Sequence, residues 1–302
     1  MSEKHPIIAI TGSSGAGTTS VKRTFEQIFR REKIEAVYIE GDAFHRYGRV
    51  EMRAKMEEAA KSGDNHFSHF GPEANLFADL ESSFASYAQT GVARTRFYVH
   101  DAKEAETHGA KPGEFTPWGE FAPGSDLLFY EGLHGAVVTK DVDIARHVDL
   151  KIGVVPVINL EWIQKIHRDR DTRGYSTEAV TDTILRRMPD YVNYICPQFS
   201  QTDINFQRVP TVDTSNPFVA RWIPTPNESM VVIRFRNPRG FDFPYLLSMI
   251  SGAFMSRANS IVVHGGQLDL AMQLILTPMI LQLVEKRRRA SGSRARKEGE
   301  RK

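Results

Sequence analysis

Short runs of β-branched and aromatic residues alternate along this chain with segments whose apolar positions recur every three or four residues. Ile7–Thr11 is an apolar run fit for a buried strand, and Ser20–Arg31 then places Val21, Phe25, Ile28 and Phe29 on one helical face. Ala36–Glu40 reads as a second strand, Val50–Ser62 and Asn75–Thr90 as helices, and Arg96–Val99 as an extended segment. Leu127–Glu131 and Leu150–Val155 have the unbroken apolar character of strands covered on both faces. Helical spacing returns in Asn159–Arg173 and Thr177–Tyr194. The character then changes: Ile204–Val212 and Ser229–Phe235 are β segments without a long helix between them, and Leu268–Arg289 is a helix interrupted near Pro278. The order predicts an α/β chain with a mixed, mostly parallel sheet and antiparallel strands at one edge. No repeat of 20–50 residues is present. Residues 100–126 carry glycines and prolines throughout and read as a long loop or irregular hairpin, which in a compact domain is usually functional.

Composition narrows the class. With 302 residues, 41% hydrophobic and 25% charged, the chain is an ordinary globular one, and disordered, collagen-like and coiled-coil classes are excluded. We read residues 1–290 as one domain and 291–302 as a basic, disordered tail. Nine of the 39 basic residues and two of the 37 acidic ones lie in 286–302, leaving 30 basic against 35 acidic in the body. An acidic body argues against a nucleic-acid partner. A single cysteine, Cys196, rules out an internal disulfide. Met1–Ile10 lacks the apolar stretch of a signal peptide, and Leu274–Val284, broken by Thr277, Pro278 and Gln282, is too short to span a bilayer. The expected setting is a reducing cytoplasm, with no membrane partner.

Chemistry enters after the first strand. Gly12, Ser13, Ser14, Gly15, Ala16, Gly17, Thr18 and Thr19 join Ile7–Thr11 to the following helix, a layout that turns backbone N–H groups and a helix N-terminus onto phosphate oxygens. The spacing fits G-x-x-x-x-G-K-[ST] except that Thr18 stands where lysine belongs, and the Thr19 hydroxyl falls where a Mg²⁺ ligand is needed. The bland alternative is a plain glycine-rich turn, and a Rossmann reading fails because Ser20 replaces the third glycine. Without a loop lysine, cations for a transferring phosphoryl group must come from elsewhere. Lys165, Asp169 and Arg173 are spaced i, i+4, i+8 with Arg168 on the same face, ahead of Gly174; the alternative is a surface salt-bridge ladder. The triplet His167-Arg168-Asp169 matches a protein-kinase catalytic loop only by coincidence, since Gly174 stands where asparagine is needed.

Two acids close strands. Asp42 follows the second strand and is a candidate base toward an attacking hydroxyl; Glu131 ends Leu127–Tyr130 and is a candidate to serve magnesium. His45, Arg46, Arg49 and Arg53 form a basic cluster after Asp42, at helical spacing for 45, 49 and 53, suited to an acceptor that carries its own phosphate. Tyr98 and His100 are placed to complete such a pocket. His66 and His69 have metal-like spacing but no acidic or thiol partners nearby.

Together, residues 12–20, 40–46, 130–134 and 168–174 resemble the bacterial phosphoribulokinases, over about 1–290, within the P-loop kinase superfamily. In that family Thr18 is an ordinary feature, whereas related uridine and pantothenate kinases carry lysine. The resemblance implies a P-loop nucleoside-kinase-like three-layer fold and ATP-dependent phosphorylation of ribulose 5-phosphate at O1, giving ribulose 1,5-bisphosphate and ADP in the Calvin cycle. It implies Asp42 as general base, Glu131 and Thr19 toward Mg²⁺, and Asp169 as a second essential carboxylate. It also implies Lys165, Arg168 and Arg173 in a lid over the phosphates, with His45, Arg49, Tyr98, His100 and Arg173 holding the sugar phosphate. A homo-octamer activated by NADH and inhibited by AMP follows from the same resemblance. Arg234 and Arg257 are the candidate effector contacts, their alternative being ordinary surface arginines. A uridine-type kinase, a non-catalytic nucleotide-binding regulator and a nucleic-acid binder are the competing readings.

Overall fold

The computed structural model describes the backbone of residues 4–13 and 18–299, and side chains over 4–13, 21–171 and 174–290. The elements are β1 (Ile7–Thr11), α1 (Thr18–Glu32), β2 (Ala36–Glu40), α2 (Arg49–Lys61), α3 (Phe77–Thr90), β3 (Arg94–Thr95), α4 (Ala102–His108), β4 (Gly119–Glu120), β5 (Leu127–Gly132) and β6 (Leu150–Val155). There follow α5 (Ile158–Arg173), α6 (Thr177–Asp190), β7 (Ile204–Pro210), β8 (Ser229–Phe235), α7 (Phe243–Met249), β9 (Phe254–Arg257), β10 (Ser260–His264) and α8 (Leu268–Gly299). Eight strands form one sheet in the order β2-β5-β1-β6-β7-β8-β10-β9. The first five are parallel, and β8, β10 and β9 join antiparallel at one edge, as the strand pattern predicts.

Alternation along β1 divides the core. Ile8 and Ile10 face a layer containing Phe25, Ile28 and Phe29 of α1 and Ile275, Leu276 and Ile280 of α8, while Ile7 and Ala9 face Leu80, Phe84 and Tyr87 of α3. Helices on both sheet faces make the three-layer architecture. Phe25 and Phe129 are fully buried with ring centroids 5.0 Å apart, a contact that pins α1 to the centre of the sheet.

Several local expectations are revised. The closing helix is not interrupted at Pro278, because Ile275, Leu276 and Ile280 are buried against the sheet and their packing exceeds the ~3 kcal/mol cost of a helical proline. Over 265–290 this helix is long and apolar enough to cross a membrane, but its buried face makes it a core helix. The 177–194 helix stays α-helical only to Asp190 and becomes a π turn over Tyr191–Ile195, just after Pro189, whose nitrogen has no hydrogen to donate. Most of 100–126 belongs to an irregular hairpin over 94–120: β3 pairs with β4, Tyr98 bridges Phe115, and α4 lies between them, capped by Asp101 accepting from the Glu104 N–H. His45 lies outside α2, in extended backbone before the Gly48 cap, so 45, 49 and 53 do not share a helix.

At the carboxyl edge of the sheet two glycine backbones touch. A Cβ on Gly132 would lie 2.7 Å from the Gly41 Cα and 2.7 Å from Tyr130 Oη. This close approach brings together the chain just before Asp42 and just after Glu131. Gly132→Ala is expected to cost about 1–3 kcal/mol by overpacking, read as a lower midpoint in urea unfolding.

Candidate active site

β2 runs straight into a 3-10 turn, Gly41–Phe44, that lifts Asp42 above the sheet edge. His45 Nε2 lies 3.1 Å from Asp42 Oδ1 and His100 Nε2 lies 3.6 Å from Oδ2, so the carboxylate is held between two imidazoles. Burial pushes the Asp42 carboxyl up, but the His45 hydrogen bond and the charges of His45, His100 and His69 outweigh it and hold the group well below the carboxylate range. His45 is buried at 7% exposure; burial lowers its pKa, yet Asp42 and the contact with Asn75 raise it above the ordinary value.

The other acceptor-side residues gather around this pair. Arg49 donates from Nη2 to the His100 carbonyl (2.7 Å), and the Tyr98 ring packs edge-on against His100 at 4.8 Å. Arg46 turns away to the carbonyls of Glu73 and Asn75, and Arg53 is exposed on α2. Arg96 is the strut of this wall: it donates to the carbonyls of Ala43 and His45 while its guanidinium lies 3.6 Å from the Phe115 ring centroid and 4.6 Å from that of Trp118.

A second group comes from α5. Lys165 bonds Asp169 and Arg168 Nε donates to the other carboxylate oxygen at 3.0 Å. Lys165 and Asp169 are buried, which excludes a surface ladder. Burial and the neighbouring Arg187 bring the Lys165 amine down to about 8, against the pull of Asp169. Burial raises Asp169, but Lys165 and Arg168 more than compensate, and it is held below the usual carboxylate range. A small pocket at Lys165 is lined by Phe70, Glu161, Arg187 and Tyr191 among others. Arg187 lies 5.1 Å from the Phe70 ring centroid, and its charge is felt at both His45 and Lys165, so the two groups of residues face one site.

Of the phosphate loop, Gly12 and Ser13 lie at the end of β1, with the Gly12 N–H donating to the Gly132 carbonyl at 3.2 Å. Ser14, Gly15, Ala16 and Gly17 lie outside the described residues, as do the side chains of Thr18, Thr19 and Arg173. Glu131 closes β5 opposite Glu40 of β2, and its charge reaches Lys22 of α1. Among the described residues no group of three His, Cys, Asp or Glu could hold a metal by themselves.

Sequence reasoning missed Asn75, His69 and Arg187. His69 packs its ring 4.8 Å from that of His45, and the metal-like spacing with exposed His66 was the sole trace of it. Burial, with the charges of His45 and Arg187, drops His69 to about 3, so it is neutral where His45 is charged. Arg234 and Arg257 are brought together across the sheet: each stands opposite Ser260 of β10, and both line a groove with Asn205 and Gln207.

A family profile described as "Phosphoribulokinase / Uridine kinase family" matches residues 7–215. The chain is 74% identical over 290 residues to a phosphoribulokinase of Nitrobacter vulgaris, covering 96% of this chain and 100% of that one. It is 67% identical to the chromosomal phosphoribulokinase of Cupriavidus necator, again over 96% and 100%. A solved phosphoribulokinase from "Rhodobacter spheroides" matches with a TM-score of 0.88 at 66% identity, over 95% of this chain and 100% of that one. The chain belongs to the phosphoribulokinase/uridine kinase family of P-loop kinases.

His134 illustrates how burial couples this site to pH. Burial brings it to about 3, outweighing the Phe70 carbonyl 3.0 Å from its Nε2. The unfolded chain therefore takes up a proton near 6.5 that the folded chain refuses, so its contribution to stability is whole above that value and is lost as pH falls toward 3. His134→Gln is expected to flatten the fall in unfolding free energy between pH 6.5 and 5, measured by urea titration at each pH.

Proposed function

We propose that this chain transfers the γ-phosphoryl group of ATP to the O1 hydroxyl of ribulose 5-phosphate, giving ribulose 1,5-bisphosphate and ADP in the Calvin cycle. The observation that carries it is the near-full-length identity to curated phosphoribulokinases. The uridine-kinase reading is disfavoured because those relatives far exceed family-level similarity. The regulator reading is disfavoured because Asp42, Glu131 and Asp169 are all retained, which a site without chemistry would not need.

In this reading Asp42 accepts the O1 proton, and His45, Arg49, Tyr98, His100 and Arg173 hold the sugar phosphate. The loop 12–19 cradles the ATP phosphates through its N–H groups. Lys165, Arg168 and Arg173 meet the phosphoryl charge in place of the missing loop lysine and exclude water, with Asp169 as a second essential carboxylate near the metal. Glu131 and Thr19 would hold Mg²⁺, which when bound neutralises charge on the phosphate oxygens. Residues 1–290 act as one kinase domain and 291–302 as a basic appendage. A cytoplasmic homo-octamer, with NADH bound as activator in the groove of Arg234 and Arg257, completes the proposal; guanidinium groups there suit a diphosphate anion.

The test is ADP release with Mg-ATP and ribulose 5-phosphate, ribose 5-phosphate or uridine, each with and without NADH. Turnover is expected with ribulose 5-phosphate alone, raised by NADH; turnover on uridine instead would overturn the assignment. Asp42→Asn should lower kcat by roughly 10²–10⁴-fold with ATP binding retained, whereas loss of ATP affinity would make Asp42 a nucleotide residue. Lys165, lowered to about 8, is charged below that pH, so the rate should decline as pH rises through it. Lys165→Arg, which stays charged, is expected to lack that decline in the same assay.

A further inference from the structure

Asn75 has the contacts of an orienting group. Its side-chain nitrogen donates to the carbonyl oxygens of His69 (2.8 Å) and Gly71 (2.6 Å). Carbonyl oxygens only accept, so the amide cannot be turned round. Its oxygen is therefore the atom that faces His45 Nδ1 at 2.8 Å. An amide oxygen also only accepts, and Nδ1 must carry a proton. On the far side of the ring, Nε2 lies 3.1 Å from Asp42 Oδ1, and a carboxylate again only accepts. A neutral ring protonated on Nδ1 would point a lone pair at a carboxylate. Both Asn75 and His45 are buried, at 2% and 7% exposure, and the backbone holds the pair in register through an antiparallel bridge.

We propose that Asn75 is a positioning residue for the phosphoryl-transfer site: its amide, locked by two backbone carbonyls, makes His45 a donor on both ring nitrogens, so that Asp42 is aimed as a carboxylate paired with an imidazolium. The inference rests on the reading of Asp42 as the base. It also divides the two carboxylate oxygens. Oδ1 is taken by His45, leaving Oδ2, beside His100, to receive the acceptor's proton. In that step the hydroxyl O–H breaks and Oδ2–H forms as the oxygen bonds to the γ-phosphorus and ADP leaves.

The charges facing the ring agree. Asp42 comes from the 3-10 turn, the His69 ring lies 4.8 Å away, and Arg187 of α6 acts with like charge. Burial and Arg187 oppose the second proton; Asp42 and Asn75 outweigh them. His69 stays neutral and does not compete for it. His100 faces Asp42 from the hairpin at 3.6 Å.

The experiment is ¹⁵N spectroscopy of the histidine rings in the full chain without substrates, the His45 signal being assigned by its loss in His45→Asn. Both His45 nitrogens are expected to be protonated at pH 7, with the ring losing its proton only above 6.5. Asn75→Ala should move that titration down by about one pH unit and lower kcat about 10–100-fold, with KM for ATP unchanged. Asn75→Asp keeps an acceptor and adds negative charge, so it should move the titration up. A residue that merely braces the fold would shift the unfolding midpoint and leave the titration in place. A neutral His45 ring at pH 7 in the unaltered chain, or an unmoved titration in a folded variant, overturns the proposal. Should neither variant fold, the spectrum of the unaltered chain decides. Silence with ribulose 5-phosphate in the unaltered chain would instead overturn the functional reading, while the ring titration is read all the same.

Discussion

Parallel pairing of β2, β5, β1, β6 and β7 is the constraint on which the rest of this structure depends. Because these strands point the same way, their carboxyl ends form one edge, and the segments that carry Gly12, Asp42, Glu131 and the proposed α5 cations all start there. Gly12 follows β1, Asp42 follows β2, Glu131 closes β5 and α5 rises from β6. The edge can be this crowded because Gly41 and Gly132 have no side chains to keep their backbones apart.

Electrostatics then assigns tasks to like groups. His45 and His69 lie ring against ring, yet one is held charged by a carboxylate and an amide and the other is kept neutral by burial and by its charged neighbours. Asp42 and Asp169 are both kept ionised, but by different partners: the imidazoles of His45 and His100 in one case, lysine and arginine in the other.

Much of this was legible in the sequence. The sheet could be read from apolar runs covered on both faces, and the acids from their place at strand ends, because buried parallel strands and their termini leave strong local signals. Short elements left weak ones: α7, β9 and β10 are stabilised by sheet pairing and by Phe235, Phe241 and Phe243 packing together, contacts between residues that no local pattern links. Pro278 misled because local helix cost was weighed without the burial around it. Asn75 was invisible for the same reason. It looks like the start of a helix, and its importance comes from His45, thirty positions earlier in the chain, and from carbonyls exposed by an irregular turn. Arg187 likewise acquires its meaning from Phe70 and Lys165, which only folding brings near.

The hairpin that carries Tyr98, His100 and α4 meets the rest of the molecule near Asp42 through Arg96, Arg49 and the contact of His100 with Asp42 itself. The phosphate loop, Asp42 and α5 lie outside it. The two proposed acceptor contacts on the hairpin, Tyr98 and His100, are thus carried on a stretch of chain apart from the phosphate loop and α5. A lineage could alter this hairpin, and with it part of the acceptor's surroundings, while inheriting the loop and α5 unchanged.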